Sequence, residues 1–156
     1  MSDEGALPTS HVLKAFVVDG DALLLVQRPM GDPPHAGLWD LPSAIIEGGE
    51  TDAEALKRGI WEESGLIAAV AEMPFTEAEY LHPPKKPQRR LLQVAYLAIC
   101  ESNPAGLKSS EYAAQVKWVA FDNLVPNVLD GRQRYRLVPG TQPLVDNFIG
   151  AFVKQD

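Results

Sequence analysis

Residues 51–64 carry a helix signal with both ends marked, and this segment constrains the fold more than any other. Thr51 and Glu54 have the T-x-x-E spacing of a capping box, in which the two residues satisfy backbone amides at the helix start. Gly65 stands where a helix commonly ends in a left-handed residue. The sequence therefore predicts one helix of defined length and register in the first half of the chain.

The buried face of this helix is predicted from Ala53, Leu56 and Ile60, which recur at helical spacing. At about 100° per residue, Glu63 falls roughly 50° from the centre of that face, with Glu62 beside it. Burial and the adjacent like charge both raise the proton affinity of such a carboxylate. A divalent cation with a preference for oxygen would stabilise the pair. The alternative is an ordinary solvated helix face.

More acidic residues stand just before the helix. Glu47 and Glu50 lie in a turn with glycines at positions 48–49, where backbone oxygens can come close to an ion. Arg58 lies four residues before Glu62 and can order these carboxylates through charge-assisted hydrogen bonds. The stretch from residue 47 to residue 66 is therefore predicted to hold divalent cations against a phosphate-containing substrate.

The rest of the chain alternates strand and turn signals. Apolar runs at residues 12–18 and 22–26 flank an Asp-Gly turn at 19–20, which is a strong hairpin signal. Residues 39–47 form a further apolar segment, in which Pro42 restricts pairing to an edge or a bend. Strands are also predicted at residues 66–70, 91–100 and 116–121 and a closing helix capped by Thr141 at 141–154, whereas 74–88 is predicted as loop and 126–140 receives no prediction. This pattern predicts a single α/β domain over residues 1–156.

Composition narrows the function classes. A chain of 156 residues fits one domain. Its net charge of -7 argues against binding of a nucleic acid polymer, although a bound metal ion can reverse the local charge for a small anionic ligand. Cys100 is the only cysteine, which excludes an internal disulfide. We expect a cytoplasmic protein, because residues 1–10 lack a signal peptide pattern and no apolar run reaches about 18 residues.

Residues 44–66 resemble the Nudix box: Gly, five residues, Glu, seven residues, Arg-Glu, an aliphatic residue, any residue, Glu-Glu, any residue, Gly, an aliphatic residue. The matching positions are Glu50, Arg58, Ile60, Glu62, Glu63, Gly65 and Leu66. Residues 36–42 (AGLWDLP) resemble the family's entry into the box, and residues 116–119 (VKWV) with Leu124 resemble its later strand and turn. The resemblance covers about residues 12–124.

Two positions depart from the box pattern. Ala44 stands where the family has Gly, whose carbonyl commonly ligates a metal; Ala keeps the carbonyl but adopts positive φ less easily. Gly59 replaces the Glu of the Arg-Glu pair and removes a carboxylate that serves the family as metal ligand or base. This substitution indicates either drift after lost activity or an altered site that uses another base.

The resemblance implies a Nudix-type α/β/α sandwich with a mixed β-sheet. It also implies hydrolysis of a diphosphate joined to another group, often a nucleoside, with Mg²⁺ or Mn²⁺ as cofactor. The implied metal ligands are the carbonyl of Ala44 and the carboxylates of Glu47, Glu50, Glu62 and Glu63. The implied partner is a small nucleotide or diphosphate substrate, without nucleic acid polymer or membrane, and a homodimer is compatible with the family.

The remaining site predictions concern the base and the substrate. Glu111 is the candidate general base, because family members often place a catalytic Glu near the later strand. Arg28 and Arg90 are candidates for phosphate contacts, although a Lys/Arg group beside prolines, such as that around Lys85 and Lys86, is usually a solvated loop. Trp39 is a candidate for stacking on a base, or else a core residue. Besides the hydrolase, two hypotheses stay open: a catalytically weak domain that binds a nucleotide or metabolite as a sensor, and a protein-interaction module.

Overall fold

The computed structural model describes residues 9–31, 35–82, 89–103, 106–124, 128–129 and 132–152. Its helices are α1 (Asp52–Ser64) and α2 (Gln142–Phe152). Its strands are β1 (Thr9–Asp19), β2 (Ala22–Gln27), β3 (Trp39–Asp40), β4 (Ser43–Ala44), β5 (Ile67–Val70), β6 (Thr76–His82), β7 (Arg89–Ser102), β8 (Gln115–Ala120), β9 (Val128–Leu129) and β10 (Arg132–Gln133). A short 3-10 turn, Phe121–Asn123, follows β8.

The main sheet is mixed and is centred on β1 and β7, which run parallel from the Thr9–Arg90 pair to the Val18–Ile99 pair. All its other pairings are antiparallel: β1 with β2 and β4, β2 with β3 and β8, and β7 with β5 and β6. The short strands β9 and β10 pair separately. The expected mixed sheet is therefore confirmed.

The hairpin predicted near the N-terminal end of the chain forms between β1 and β2, but its turn is shifted by one residue. Asp19 pairs with Ala22, so the turn consists of Gly20 and Asp21. Gly20 has a φ of 63°, a left-handed conformation that glycine adopts without steric cost. The Asp-Gly pair thus contributes its glycine to the first turn position.

The two helices cover opposite faces of the sheet, as the α/β/α sandwich requires. One core cluster packs α1 residues such as Leu56 and Ile60 against Leu13 and Val17 of β1. The other packs α2 residues such as Phe148 against Phe16, whose rings stack with centroids 4.7 Å apart. No helix within the described ranges is long and apolar enough to span a membrane.

Helix α1 has the predicted ends but a slightly rotated buried face. Thr51 accepts from the Glu54 amide, and the Glu54 side chain accepts from the Thr51 amide, so the capping box is confirmed. Gly65 ends the helix with a φ of 79°. The prediction that Ala53 is buried is wrong: its side chain is half-buried, and Ala55 is buried instead. The face turns because contact with β4 draws position 59 inward.

One further segment differs from its prediction, and one predicted residue has an additional partner. Residues 76–82, which fall in the predicted loop, form β6, whose exposed Glu77 and Glu79 alternate with inward residues at the sheet edge. Polar outward positions conceal a strand of this kind from a search for apolar runs. Thr141 precedes α2 as expected, but its hydroxyl donates to the buried Asp40 carboxylate.

Candidate functional site

Arg58 gathers the acidic residues at the outer end of the site. Its guanidinium makes two 2.9 Å hydrogen bonds to the Glu50 carboxylate and one of 2.8 Å to the Ile45 carbonyl. The same group lies 3.3 Å from a Glu62 oxygen and 3.7 Å from a Glu47 oxygen. The bidentate pairing lowers the pKa of Glu50 to about 2 and raises the pKa of Arg58. The carboxylates of Glu47, Glu50 and Glu62, which were predicted from sequence, thus meet around the Arg58 guanidinium.

Glu63 sits deeper, against strand β4. The Ser43 amide donates to its Oε1 at 3.0 Å. Burial raises the pKa of Glu63 to about 8, although the Ser43 hydrogen bond opposes this increase. The negative charge of Asp40 also raises the pKa, whereas the cations Lys14 and Arg28 lower it. The partial desolvation predicted from helical position is therefore confirmed. A further positive charge, such as a bound cation, would favour the ionised form of the Glu63 carboxylate.

The two departures from the box pattern, Ala44 and Gly59, face each other. A Cβ atom placed on Gly59 would lie 2.4 Å from the Ser43 carbonyl oxygen and 3.0 Å from the Ala44 Cβ. Real Cβ atoms do not approach backbone oxygens this closely, so α1 and β4 are in contact only because position 59 has no side chain. No carboxylate fits at position 59 unless the helix moves away from the strand.

These groups line one end of a cavity of about 500 Å³. Glu47, Arg58, Glu62 and Glu63 form the end that belongs to α1 and the turn before it. Arg28 also lines the cavity, and its guanidinium lies 4.0 Å from the Asp40 carboxylate. Ala44, the predicted carbonyl ligand, lines it too, so the structure brings six of the predicted site residues to one cavity.

The other end of the cavity contains a buried polar group of residues that the sequence analysis missed. Lys14 Nζ lies 2.8 Å from Asp40 Oδ2, and both residues are at most 5% exposed. Thr141 Oγ1 donates to Asp40 Oδ1 at 2.5 Å, and the buried Gln93 amide donates to the Gly140 carbonyl at 2.5 Å. The available signal was a single polar residue within each of two apolar strands.

Glu111, the candidate base, lies near Glu63 without belonging to α1. It is exposed on the loop before β8 and lines a second, smaller cavity of about 420 Å³ together with Glu63 and Arg28. Tyr112 lines both cavities, and the negative charge of Glu111 raises the pKa of its phenol. The loop therefore places a carboxylate in a cavity that Glu63 also lines.

Other predicted substrate residues are distributed differently. Trp39 is 9% exposed and packs edge-on against Tyr135 in the core on the α2 side, which is the alternative role given for it. Arg90 lies on β7, but its side chain is outside the described part of the structure. Lys85 and Lys86 also lie outside the described residues.

The donor set suits a hard divalent cation. Each candidate ligand offers oxygen: Glu47, Glu50, Glu62 and Glu63 as carboxylates and Ala44 as a carbonyl. Within the described ranges, no three acidic, histidine or cysteine side chains are already grouped as a cation site. Arg58 provides the physical reason, because it pairs with three of these carboxylates. The residues fit the cation chemically, and Arg58 is a competing positive charge for three of them.

Comparisons with known proteins agree with this geometry. The model of the NUDIX domain family matches residues 10–140. The ADP-ribose pyrophosphatase of Methanocaldococcus jannaschii is 30% identical over 115 residues, which cover 70% of this chain and 64% of that protein. The putative 8-oxo-dGTP diphosphatase 2 of Mycobacterium tuberculosis is 40% identical over 58 residues, 37% of this chain and 40% of that protein. The matched regions thus span less than two thirds of these relatives.

Solved structures share the fold. The crystal structure of MutT protein from Methanosarcina mazei Go1 matches with a TM-score of 0.72 at 16% identity, over 96% of this chain and 99% of that one. At this identity the likeness concerns the arrangement of helices and strands alone. The expected α/β/α fold is therefore confirmed by an independent structure.

Proposed function

The chain belongs to the NUDIX domain family, and on this premise we propose that it is a metal-dependent hydrolase of a nucleoside-diphosphate-linked or related diphosphate compound. The reaction is attack of water on phosphorus. One observation carries this proposal: the desolvated carboxylate of Glu63 lines the same cavity as Glu62 and Arg58. A buried carboxylate beside further acidic groups favours a bound cation, which a phosphate substrate can share.

Mg²⁺ or Mn²⁺ is the proposed cofactor, with Glu62 and Glu63 as its principal ligands. Glu47, Glu50 and the Ala44 carbonyl are further ligands or orient the first two. A bound divalent ion would neutralise charge on the phosphates and lower the pKa of a water molecule. Arg58 holds the carboxylates together before the ion binds and stays beside them as a counter-charge.

Glu111 is the proposed general base. Position 59 has no room for a carboxylate, whereas Glu111 lines a cavity together with Glu63 and Arg28. Its carboxylate takes a proton from the attacking water, while Arg28 contacts a phosphate. Glu111→Gln should lower kcat by at least about 100-fold, the usual contribution of a general base. Unchanged turnover in Glu111→Gln, alongside inactive Glu63→Gln, would show that the base is another group.

Relatives support a nucleotide as the substrate. Their names, ADP-ribose pyrophosphatase and putative 8-oxo-dGTP diphosphatase 2, both specify compounds in which a diphosphate is linked to a nucleoside. One of these nucleosides carries adenine and the other an oxidised guanine, so the names do not select one base. The contacts proposed for Arg90 and Trp39 stay predictions.

A second candidate function is a weakly catalytic domain that binds a nucleotide. Gly59 favours it, because the missing carboxylate has no substitute on α1 itself. Gly59→Glu alone separates the two functions poorly: its Cβ would meet the Ser43 carbonyl oxygen, so loss of rate would follow from disrupted packing. Turnover of the unaltered protein is the better criterion.

The test is product release from a panel of nucleoside triphosphates, oxidised nucleotides, nucleotide sugars, dinucleoside polyphosphates and ADP-ribose, with Mg²⁺ or Mn²⁺. Glu63→Gln is the inactive variant, and Glu72→Gln, an exposed glutamate outside the cavity, is its matched control. We expect turnover in the unaltered protein and in Glu72→Gln, and none in Glu63→Gln. Metal-dependent nucleotide binding without turnover would favour the second candidate.

A further inference from the structure

Two buried polar side chains, Lys14 and Gln93, line the cavity on the face of the sheet that α2 covers. Val12 pairs with Gln93 across the parallel strands β1 and β7, and Lys14 follows on the same face two residues later. Gln93 is 3% exposed and Lys14 is 5% exposed. The fold thus places an ammonium and a carboxamide on adjacent strands that line one cavity.

Both groups keep hydrogen-bonding capacity. One N–H of the Lys14 ammonium donates to Asp40 at 2.8 Å, and an ammonium has three such donors. The Gln93 nitrogen donates to the Gly140 carbonyl at 2.5 Å, while its Oε1 accepts from no group in the described part of the chain. Both residues line the cavity, so a ligand that hydrogen-bonds to them must present an edge that meets two donors and one acceptor.

Apolar side chains lie beside these two polar groups in the cavity wall. Val12, Leu91 and Val138 are apolar and line the cavity beside the two polar groups. Pockets for small ligands typically combine such apolar surface with a few placed polar groups. The carboxylates of α1 line the other end of the same cavity. A nucleotide would therefore place its phosphates at the α1 end and its base at the Lys14 end.

The hydrogen-bonding pattern distinguishes two kinds of purine. A 6-oxopurine such as hypoxanthine or guanine presents N7 and O6 as acceptors, which is the edge that lysine commonly contacts. Its N1–H then donates to an amide oxygen. Adenine has an amino donor in place of O6, which would face the ammonium donor to donor.

We propose that Lys14 and Gln93 are specificity residues that select a 6-oxopurine base over adenine. This inference rests on the proposed function, because it assigns the base of the nucleotide whose phosphates the α1 end holds. A site built to hydrogen-bond one edge rejects the wrong one by leaving its own buried groups unpaired. Discrimination should therefore be at least about tenfold.

Calorimetric titration with inosine and adenosine 5′-monophosphates in Mg²⁺ tests this inference. The two ligands differ only at the purine 6-position and N1, and neither contains a diphosphate to hydrolyse. We expect the inosine nucleotide to bind at least about tenfold more tightly. Equal affinities, preference for the adenosine nucleotide, or no binding of either would overturn the proposal.

Variants locate the effect. Lys14→Met is combined with Asp40→Asn, so that no buried carboxylate is left unpaired, and Gln93→Met is made separately. Gln115→Met, in an exposed pair with Gln27, is the matched control. Preference should fall to within about twofold in the first two variants and persist in the control. Thermal melting identifies a variant that fails to fold, and the result then rests on the other variant. A preference for the inosine nucleotide that survives in every folded variant would overturn the proposal.

Failure of this inference is distinguishable from failure of the proposed function. Inosine and adenosine triphosphates hydrolysed equally well, with activity lost in Glu63→Gln, would retain the hydrolase and overturn the base preference. Selective binding of the inosine nucleotide without turnover of any compound would retain the base preference and overturn the hydrolase.

Discussion

The two ends of the cavity differ in how the chain assembles them. The α1 end comes from one contiguous stretch, residues 43–66, in which Arg58 reaches partners four to thirteen positions away. The Lys14 end joins residues separated by 26, 47 and 101 positions, through the Lys14–Asp40, Gln93–Gly140 and Asp40–Thr141 contacts. The first end is a local motif and the second is a product of the finished fold. Substitutions should therefore affect activity at the first end and stability and specificity at the second.

The largest effect is expected at the α1 end. Glu62→Gln removes a charged oxygen ligand and should lower turnover by at least about 100-fold, because electrostatic stabilisation of a phosphate transition state is lost. The Glu62 side chain is 40% exposed, so the melting temperature should stay nearly constant. Steady-state kinetics and thermal melting check both results, with Glu72→Gln as control. Unfolding of Glu62→Gln would contradict the division between the two ends.

The opposite pattern is expected at the Lys14 end. Thr141→Val keeps the shape but removes the hydroxyl that donates to buried Asp40, and should cost about 1.5–3 kcal/mol of unfolding free energy. Denaturant titration measures the loss, and kcat should change by less than about threefold. Thr76→Val, whose hydroxyl accepts an exposed bond from Asn147, should cost less. Equal costs for the two variants would indicate that the buried network contributes no special stability.

The next prediction concerns the close packing of α1 against β4 at Gly59. Gly59→Ala should destabilise the protein by about 1–3 kcal/mol through overpacking against the Ser43 carbonyl. Gly150→Ala in α2 is the matched control, because its added Cβ meets no atom within 4 Å. Replacement of a helical Gly at an open position should stabilise by roughly 0.5–1 kcal/mol. Denaturant titration that gives both variants the same sign would contradict the close approach of helix and strand.

The last prediction concerns the pH dependence of stability. In metal-free protein, burial raises the folded-state pKa of Glu63 to about 8, from an ordinary value of 4.5. The folded state then binds more protons between these values, so this contribution to stability is complete below pH 4.5 and is lost as pH rises toward 8. Denaturant titration in EDTA should show a decline that Glu63→Gln removes. A decline of the same slope in Glu63→Gln would assign it to other groups.

The sequence predicted the α1 end almost completely, because its geometry follows from helical spacing. Thr51, Gly65 and the relation of Arg58 to Glu62 are set within a few turns of chain, and the structure reproduces each of them. The buried face was misplaced, because Ala55, two positions after Ala53, is the buried residue, and contact with β4 sets the rotation of the helix.

The Lys14 end could not be predicted in the same way. Lys14 and Gln93 each interrupt an apolar strand, but only the parallel pairing of β1 with β7 shows that they share a face. Thr141 looked like a helix cap, and its Asp40 partner lies too far along the chain for local spacing to reveal it. The pairing of strands that are far apart in the chain decides which polar residues meet, and local sequence spacing does not reveal that pairing.

Equilibrium binding of Mn²⁺, followed by electron paramagnetic resonance, shows directly whether the carboxylates of α1 hold a cation. We expect the unaltered protein and Glu72→Gln to bind Mn²⁺ alike, and Glu63→Gln to bind it at least about tenfold more weakly. Equal Mn²⁺ affinity in Glu63→Gln and the unaltered protein would show that the Glu63 carboxylate does not bind the cation.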